Sequence, residues 1–324
     1  MFRKLVVSGA WAAVAALASQ HAVAQESYPA RPIRLIVPTA PGGGTDFTAR
    51  TLGQKLTEAL GRTVIIDNRP GAAGNIGVEI AAKAAPDGYT LVMPITSFPI
   101  NPHLYSSLPF DTVKDFAPIV LAASAPLFLV VNPSVPAKSV GELIALAKSK
   151  PVELNYANSG NGTTAHLAGE LFKKMAGVNL VSVPYKGGGP AVLDLIAGQV
   201  QIYFSTIPAA RAQVQAGRLR GIAVTATKRV TLIPDVPTVA ESGLPGFEVV
   251  GWFGIFAPAA TPKLVIARLN KELNAALRMP EIQKRFASDG LIPGGGTSDD
   301  LGNFLRAELA KWGTLIKEAG IRGS

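Results

Sequence analysis

The chain has 324 residues, 48% apolar and 7% aromatic, with a formal charge of +9 and no cysteine. That composition suits a globular α/β protein long enough for two domains, and it excludes disulfides, thiolate metal sites and cysteine nucleophiles. The basic residues are scattered, with no Lys/Arg run and no interleaved aromatics, so nucleic-acid binding is unsupported.

Residues 1–24 read as a secretory leader. Arg3 and Lys4 supply its positive end, residues 5–18 its apolar stretch, and Ala22-Val23-Ala24 a small-x-small cleavage site, so the mature chain is expected to start at Gln25. The stretch is about 14 residues, short of the roughly 20 that span a bilayer, which disfavours an anchor. With no cysteine to carry a lipid, the expected location is the periplasm. Without Arg3 and Lys4, 29 basic residues face 22 acidic ones, a charge of +7. Most of that surplus is solvated surface, but a mildly positive field suits anionic solutes.

Short apolar runs at 33–37, 63–67, 90–95, 127–131, 180–184, 200–204 and 219–226 predict strands, and 3.6-residue periodicity between them predicts helices. Leu52, Leu56 and Leu60 share one helix face. Val140, Leu143, Ile144 and Ala147 share another, behind Ser139 and Glu142 as a capping box. Leu269, Leu273, Ala276 and Leu277 mark a third, entered through Thr261 as N-cap and Pro262 as first residue. Leu301, Phe304, Leu305, Leu309, Trp312, Leu315 and Ile316 mark the last, which Gly320 ends. The alternation argues for mostly parallel sheets covered on both faces.

Three glycine-bearing turns follow strands and open helices. In Pro41-Gly42-Gly43-Gly44-Thr45-Asp46 the backbone is free for close approach, and amides at a helix start favour an anion; a turn serving only the fold is the alternative. No Lys-Ser/Thr follows, so it is not a phosphate-binding P-loop, and the dinucleotide spacing is absent. Residues 158–166 place Ser159, Gly160, Thr163 and Thr164 at a second helix start, so two ends of one small anion could be held between two domains. His166 there suits packing or capping better than ligand contact. Residues 184–190 add Lys186, which could pair with a carboxylate or stay solvated. Catalytic sets are missing: His21 leaves with the leader, and His103 and His166 have no acidic partner in a motif. No zinc spacing, nucleophile elbow or carboxylate pair is present.

At these residues the chain resembles the substrate-binding proteins of tripartite tricarboxylate transporters, the Bug family. The resemblance runs through Tyr28-Pro29-Ala30-Arg31-Pro32-Ile33, the Pro-Gly-Gly-Gly-Thr-Asp turn, residues 67–77 and 86–91, Asp115-Phe116-Ala117-Pro118, His166-Leu167-Ala168, residues 183–187 and Pro237-Thr238-Val239-Ala240-Glu241. It implies a periplasmic-binding-protein-like type II fold: two α/β domains joined by a two-crossing hinge, with the ligand cleft between them. The crossings are expected near 125–127 and 249–251, giving one discontinuous domain of residues 25–125 plus 250–324 and a second of 126–249.

The resemblance also implies a small organic carboxylate held by amides, hydroxyls and waters, with no cofactor and no metal. The matching positions are Thr39, Pro41, Gly42, Gly43, Gly44, Thr45 and Asp46, facing Ser159, Gly160, Thr163 and Thr164. Ser97, Phe98, Lys186 and Ser205 are expected to complete the cleft. Many relatives carry an aspartate where this chain has Ser205, so an amine-bearing ligand is less expected, and Phe98 suggests an apolar or aromatic ligand body. The implied partners are a large and a small integral membrane permease subunit, with the receptor a monomer. The rival readings are a sensor presenting its ligand to a membrane kinase, and a secreted hydrolase, for which no nucleophile, base and orienting group stand out.

Overall fold

The computed structural model describes residues 28–149, 154–185 and 187–321. The leader and Lys186 lie outside the described residues. β1 (Ile33–Val37) runs parallel to β2 (Val64–Asn68) and β3 (Thr90–Val92). β9 (Val250–Pro258) lies antiparallel to β3 and to the first part of β4 (Phe116–Val131), with β10 (Ile292–Gly295) also antiparallel to β4. Beyond Pro126 the same strand enters a second lobe. There β5 (Asn155–Asn158) is parallel to β6 (Val181–Pro184) and β7 (Ile202–Thr206), while β4 pairs antiparallel with β7 and β8 (Arg220–Val224).

Both sheets are therefore mixed, not mostly parallel as the alternation suggested. The reason is topological: β4 leaves the first lobe and β9 returns to it, so the two run side by side in opposite directions. The passage is fixed at Thr225, which is fully buried. Its hydroxyl accepts from the Leu127 amide at 2.8 Å, its own amide donates to Leu127 O, and its carbonyl accepts from Val249 N. One residue thus holds both crossing segments.

Ten helices among the described residues cover the sheets: α1 (Gly44–Leu60), α2 (Asn75–Ala82), α3 (Ser97–Leu104), α4 (Val140–Ser149), α5 (Thr164–Ala176), α6 (Gly188–Ile196), α7 (Ile207–Gln215), α8 (Lys263–Leu277), α9 (Pro280–Ser288) and α10 (Ser298–Ala319). The apolar stripes face inward: Leu52 and Leu56 of α1, Val140 and Leu143 of α4, and Leu269 and Leu273 of α8 are buried. Ser139 Oγ accepts from the Glu142 amide, but the Glu142 carboxylate reaches Lys138 N, one residue outside the expected box. α8 starts one residue late, with Pro262 as its N-cap. The full capping box is at α10, where Thr297 and Asp300 exchange both bonds.

α10 joins the lobes. Its Leu301 and Leu305 pack in the first, and its Trp312, Leu315 and Ile316 pack in the core of the second. Between them the buried Glu308 accepts from Trp252 Nε1 at 3.2 Å and from Trp312 Nε1 at 2.8 Å. Among the described residues no helix is long and apolar enough to cross a membrane.

Phe98 is not a cleft residue. Residues 97–104 form helix α3 rather than a loop, and the turn that leaves Ser97 half-buried drives Phe98 into the core, where it is 2% exposed. Its ring meets Phe116 at 5.2 Å and Phe256 at 5.5 Å, both edge-on, the arrangement that aromatic quadrupoles favour. Phe98→Ala is therefore expected to destabilise the fold by about 3–5 kcal/mol, read by urea unfolding. A loss below about 1 kcal/mol would contradict this placement.

Candidate functional site

A cavity of about 620 Å³ lies between the lobes. Its wall is mostly apolar, built from Ile95, Leu104, Leu127, Phe204, Ile207, Phe253 and Leu291. Four helices begin on it. Gly44 and Thr45 of α1, Ser97 of α3, Thr164 of α5 and Ile207 of α7 all line the cavity. Each helix start carries unpaired amides and the positive end of a dipole. Three of the four, α1, α3 and α7, have no side-chain cap. No Lys, Arg or His is among the described residues on the wall.

The first helix start is shaped by Asp46. Its carboxylate accepts from Gly42 N at 3.0 Å, Arg50 Nε at 2.9 Å and Asn68 Nδ2 at 3.0 Å, and Asn68 also donates to Thr39 O. These bonds fold the turn back, with Gly42 at φ 90, where glycine is favoured. Gly43, the N-cap, sits at φ −88 in ordinary extended backbone. The first helical bond of α1 is Phe47 N to Gly43 O, so the amides of Gly44 and Thr45 have no acceptor among the described residues. Thr39 Oγ1, also on the wall, is buried with no hydrogen-bond partner there.

The facing helix start is tied more tightly. Thr163 caps α5 by accepting from His166 N, and donates from its hydroxyl to Gly160 O at 2.7 Å. His166 Nδ1 accepts from Gly162 N at 3.0 Å. The imidazole is buried, which pushes its pKa below the ordinary value and keeps the ring neutral. His166 is a loop-fastening residue and is off the cavity wall.

The structure brings Thr39, Gly42, Gly43, Gly44, Thr45, Ser97, Ser159, Thr163 and Thr164 to one cavity. It leaves out others. Pro41 is exposed beside the turn, Asp46 faces its own hydrogen bonds, and Gly160 lies behind Thr163. Ser205 is fully buried opposite Phe128 in the sheet, and the next residue, Thr206, lines the wall in its place. Ser205 is off the wall although Tyr203, two residues back on the same strand face, lines it, and its hydroxyl is buried with no hydrogen-bond partner among the described residues. Phe253 and Phe204 supply the aromatic surface assigned to Phe98. Asp289, at the end of α9, also lines the cavity; a single acid after a helix carries no sequence signal that separates it from solvated turn residues.

A two-lobed α/β fold enclosing a cleft of helix starts defines a solute-binding protein. Residues 48–321 match the family model described as tripartite tricarboxylate transporter family receptor. The chain belongs to this family. It is 39% identical to Protein BugT of Bordetella pertussis over 99% of both chains. Among solved structures it is similar to R. palustris Rpa4515 with adipate, at 38% identity and TM-score 0.80, over 92% of this chain and 100% of that one. It is also similar to MatC (Rpa3494) from Rhodopseudomonas palustris with bound malate, at 31% identity and TM-score 0.75, over 89% and 100%.

Two outcomes follow. A Cβ added at Gly43 meets nothing within 4 Å, so Gly43→Val fits the fold but projects into the approach to the amides. Its stability is expected to stay within about 0.5 kcal/mol of wild type, while the Kd for a bound carboxylate rises at least about tenfold; an unchanged Kd in calorimetry contradicts the site. For Asp46, burial pushes the carboxyl up, but the bonds from Arg50, Gly42 and Asn68 outweigh it and hold the carboxyl below the usual range. A lowered folded pKa stabilises above the unfolded value, about 3.9, and that contribution is lost as pH falls through the folded value. The unfolding free-energy gap between wild type and Asp46→Asn is expected to be flat from about pH 8 to 5 and to narrow below about pH 4. A gap that persists unchanged to about pH 2 contradicts the charge's role.

Proposed function

We propose that the chain is a periplasmic receptor that encloses a small organic carboxylate and delivers it to the large and small membrane subunits of a tripartite permease. The observation that carries this is the convergence of four helix starts on one largely apolar cavity between the lobes. A carboxylate taken out of water must be hydrogen-bonded on both oxygens or it costs several kcal/mol. Uncapped amides supply those bonds without side-chain entropy, and each charge-assisted bond is worth roughly 1.5–3 kcal/mol. The apolar remainder of the wall suits an apolar ligand body. Two structural relatives hold the small organic carboxylates adipate and malate.

The leader read in residues 1–24, cleaved after Ala24, supports export to the periplasm, and the receptor acts as a monomer. Of the expected bodies, residues 25–125 with 250–324 and residues 126–249, the first gives up the end of α10, whose Trp312, Leu315 and Ile316 pack in the core of the second. β4 and β9 pass between them, so closure turns about Pro126 and Val250. The family is one of receptors, and the structure gives the hydrolase reading little support. His103 Nε2 pairs with Leu309 O and His166 Nδ1 with Gly162 N, and neither histidine is among the described residues on the cavity wall.

A thermal-shift series of four- to eight-carbon organic acids tests the reading. At 100 times its Kd a ligand adds about 2.7 kcal/mol, at least about 2 °C in midpoint for a chain of this size. At least one acid is expected to reach that shift and to reduce the radius of gyration in solution scattering. No shift from any acid, or steady conversion of an ester in the cleft, overturns the proposal.

A further inference from the structure

Asp289 is the one Asp, Glu, Lys, Arg or His among the described residues that line the cavity. It follows α9 as its C-cap, between the starts of two cavity helices. On one side a Cβ at the next residue, Gly290, would lie 3.1 Å from Ile207 Cβ and 3.3 Å from Pro208 Cδ at the start of α7. On the other, Leu291 Cδ2 lies 4.0 Å from the Cβ position of Gly44 at the start of α1.

Nothing in the fold accounts for an acid there. The carboxylate has no hydrogen bond or salt bridge among the described residues. The basic side chain one turn back, Arg285, is held over the Phe47 ring at 5.2 Å instead. A helix C-terminus is the negative end of the dipole, where an acid is disfavoured, and partial burial pushes the carboxyl up. A half-buried charge placed against two unfavourable terms and left unpaired marks a functional position. Facing an anionic ligand, it repels a second carboxylate and accepts from a donor.

We propose that Asp289 is a specificity-determining residue, accepting a hydrogen bond from a hydroxyl or ammonium group at the end of the ligand remote from its carboxylate and discriminating against dicarboxylates. The ligand class is then an ω-hydroxy or ω-amino monocarboxylate with an apolar middle. This rests on the receptor reading above.

Calorimetry on the full mature chain tests it, with matched four- to eight-carbon sets of plain acid, ω-hydroxy acid, ω-amino acid and dicarboxylate. At the best-binding length, a donor-bearing acid is expected to bind at least about tenfold tighter than the dicarboxylate, about 1.4 kcal/mol. Comparing the hydroxy and amino arms identifies the donor. In Asp289→Asn and Asp289→Ala that preference is expected to fall below about threefold, chiefly through tighter dicarboxylate binding, with an unfolding midpoint equal to or above wild type, which a structural role would lower. A dicarboxylate bound by wild type as tightly as the donor-bearing acids, or a preference unchanged in both variants, overturns this inference and leaves the receptor reading intact. Binding of no acid at all overturns both.

Discussion

A carboxylate leaves water only if something replaces the hydrogen bonds it gives up, and this protein makes that replacement from backbone. The cost of an unpaired buried charge exceeds what a wall of Leu, Ile and Phe returns. Amides at helix starts are already without partners, so offering them to a ligand removes no bond from the fold. The glycines of the first turn, the missing caps of α1, α3 and α7, and the apolar lining all serve this constraint. Cations on long side chains would have to be ordered and desolvated as well; fixed amides need neither.

The rest of the architecture brings the helix starts face to face. α1 and α3 belong to the first lobe, α5 and α7 to the second, and β4 and β9 are the strands that pass between. Thr225 fastens both crossings, while Glu308 ties Trp252 of β9 to Trp312 of α10 across the lobe junction. A rigid junction beneath a cavity concentrates motion into rotation about the crossings. Asp46 plays the local counterpart, fixing the glycine turn that aims the α1 amides.

Much of this was legible in the sequence because its signals are local. Glycines after a strand announce a helix start open to a ligand, and the long stripe from Leu301 to Ile316 announces α10. β4 was harder. Pro118 and Pro126 interrupt a run that otherwise reads as one strand, so the sequence pattern marks only residues 127–131 as extended, yet both prolines sit in a strand that shifts register and changes sheets. Phe98 escapes a sequence reading because its neighbour Ser97 lines the cavity, and one residue along a helix turns a side chain to another face. Asp289 had no local signature at all. Its place on the wall depends on Gly290 packing against Ile207 and Pro208, a contact between segments far apart in the chain.

The most direct test of backbone-held anion binding is a crystal structure with a carboxylate bound at saturation. Its oxygens are expected within about 2.7–3.2 Å of the amides of Gly43, Gly44 or Thr45, with no Lys or Arg nitrogen in contact. A carboxylate held instead by a cationic side chain, Lys186 above all, with those amides facing water, would contradict the account.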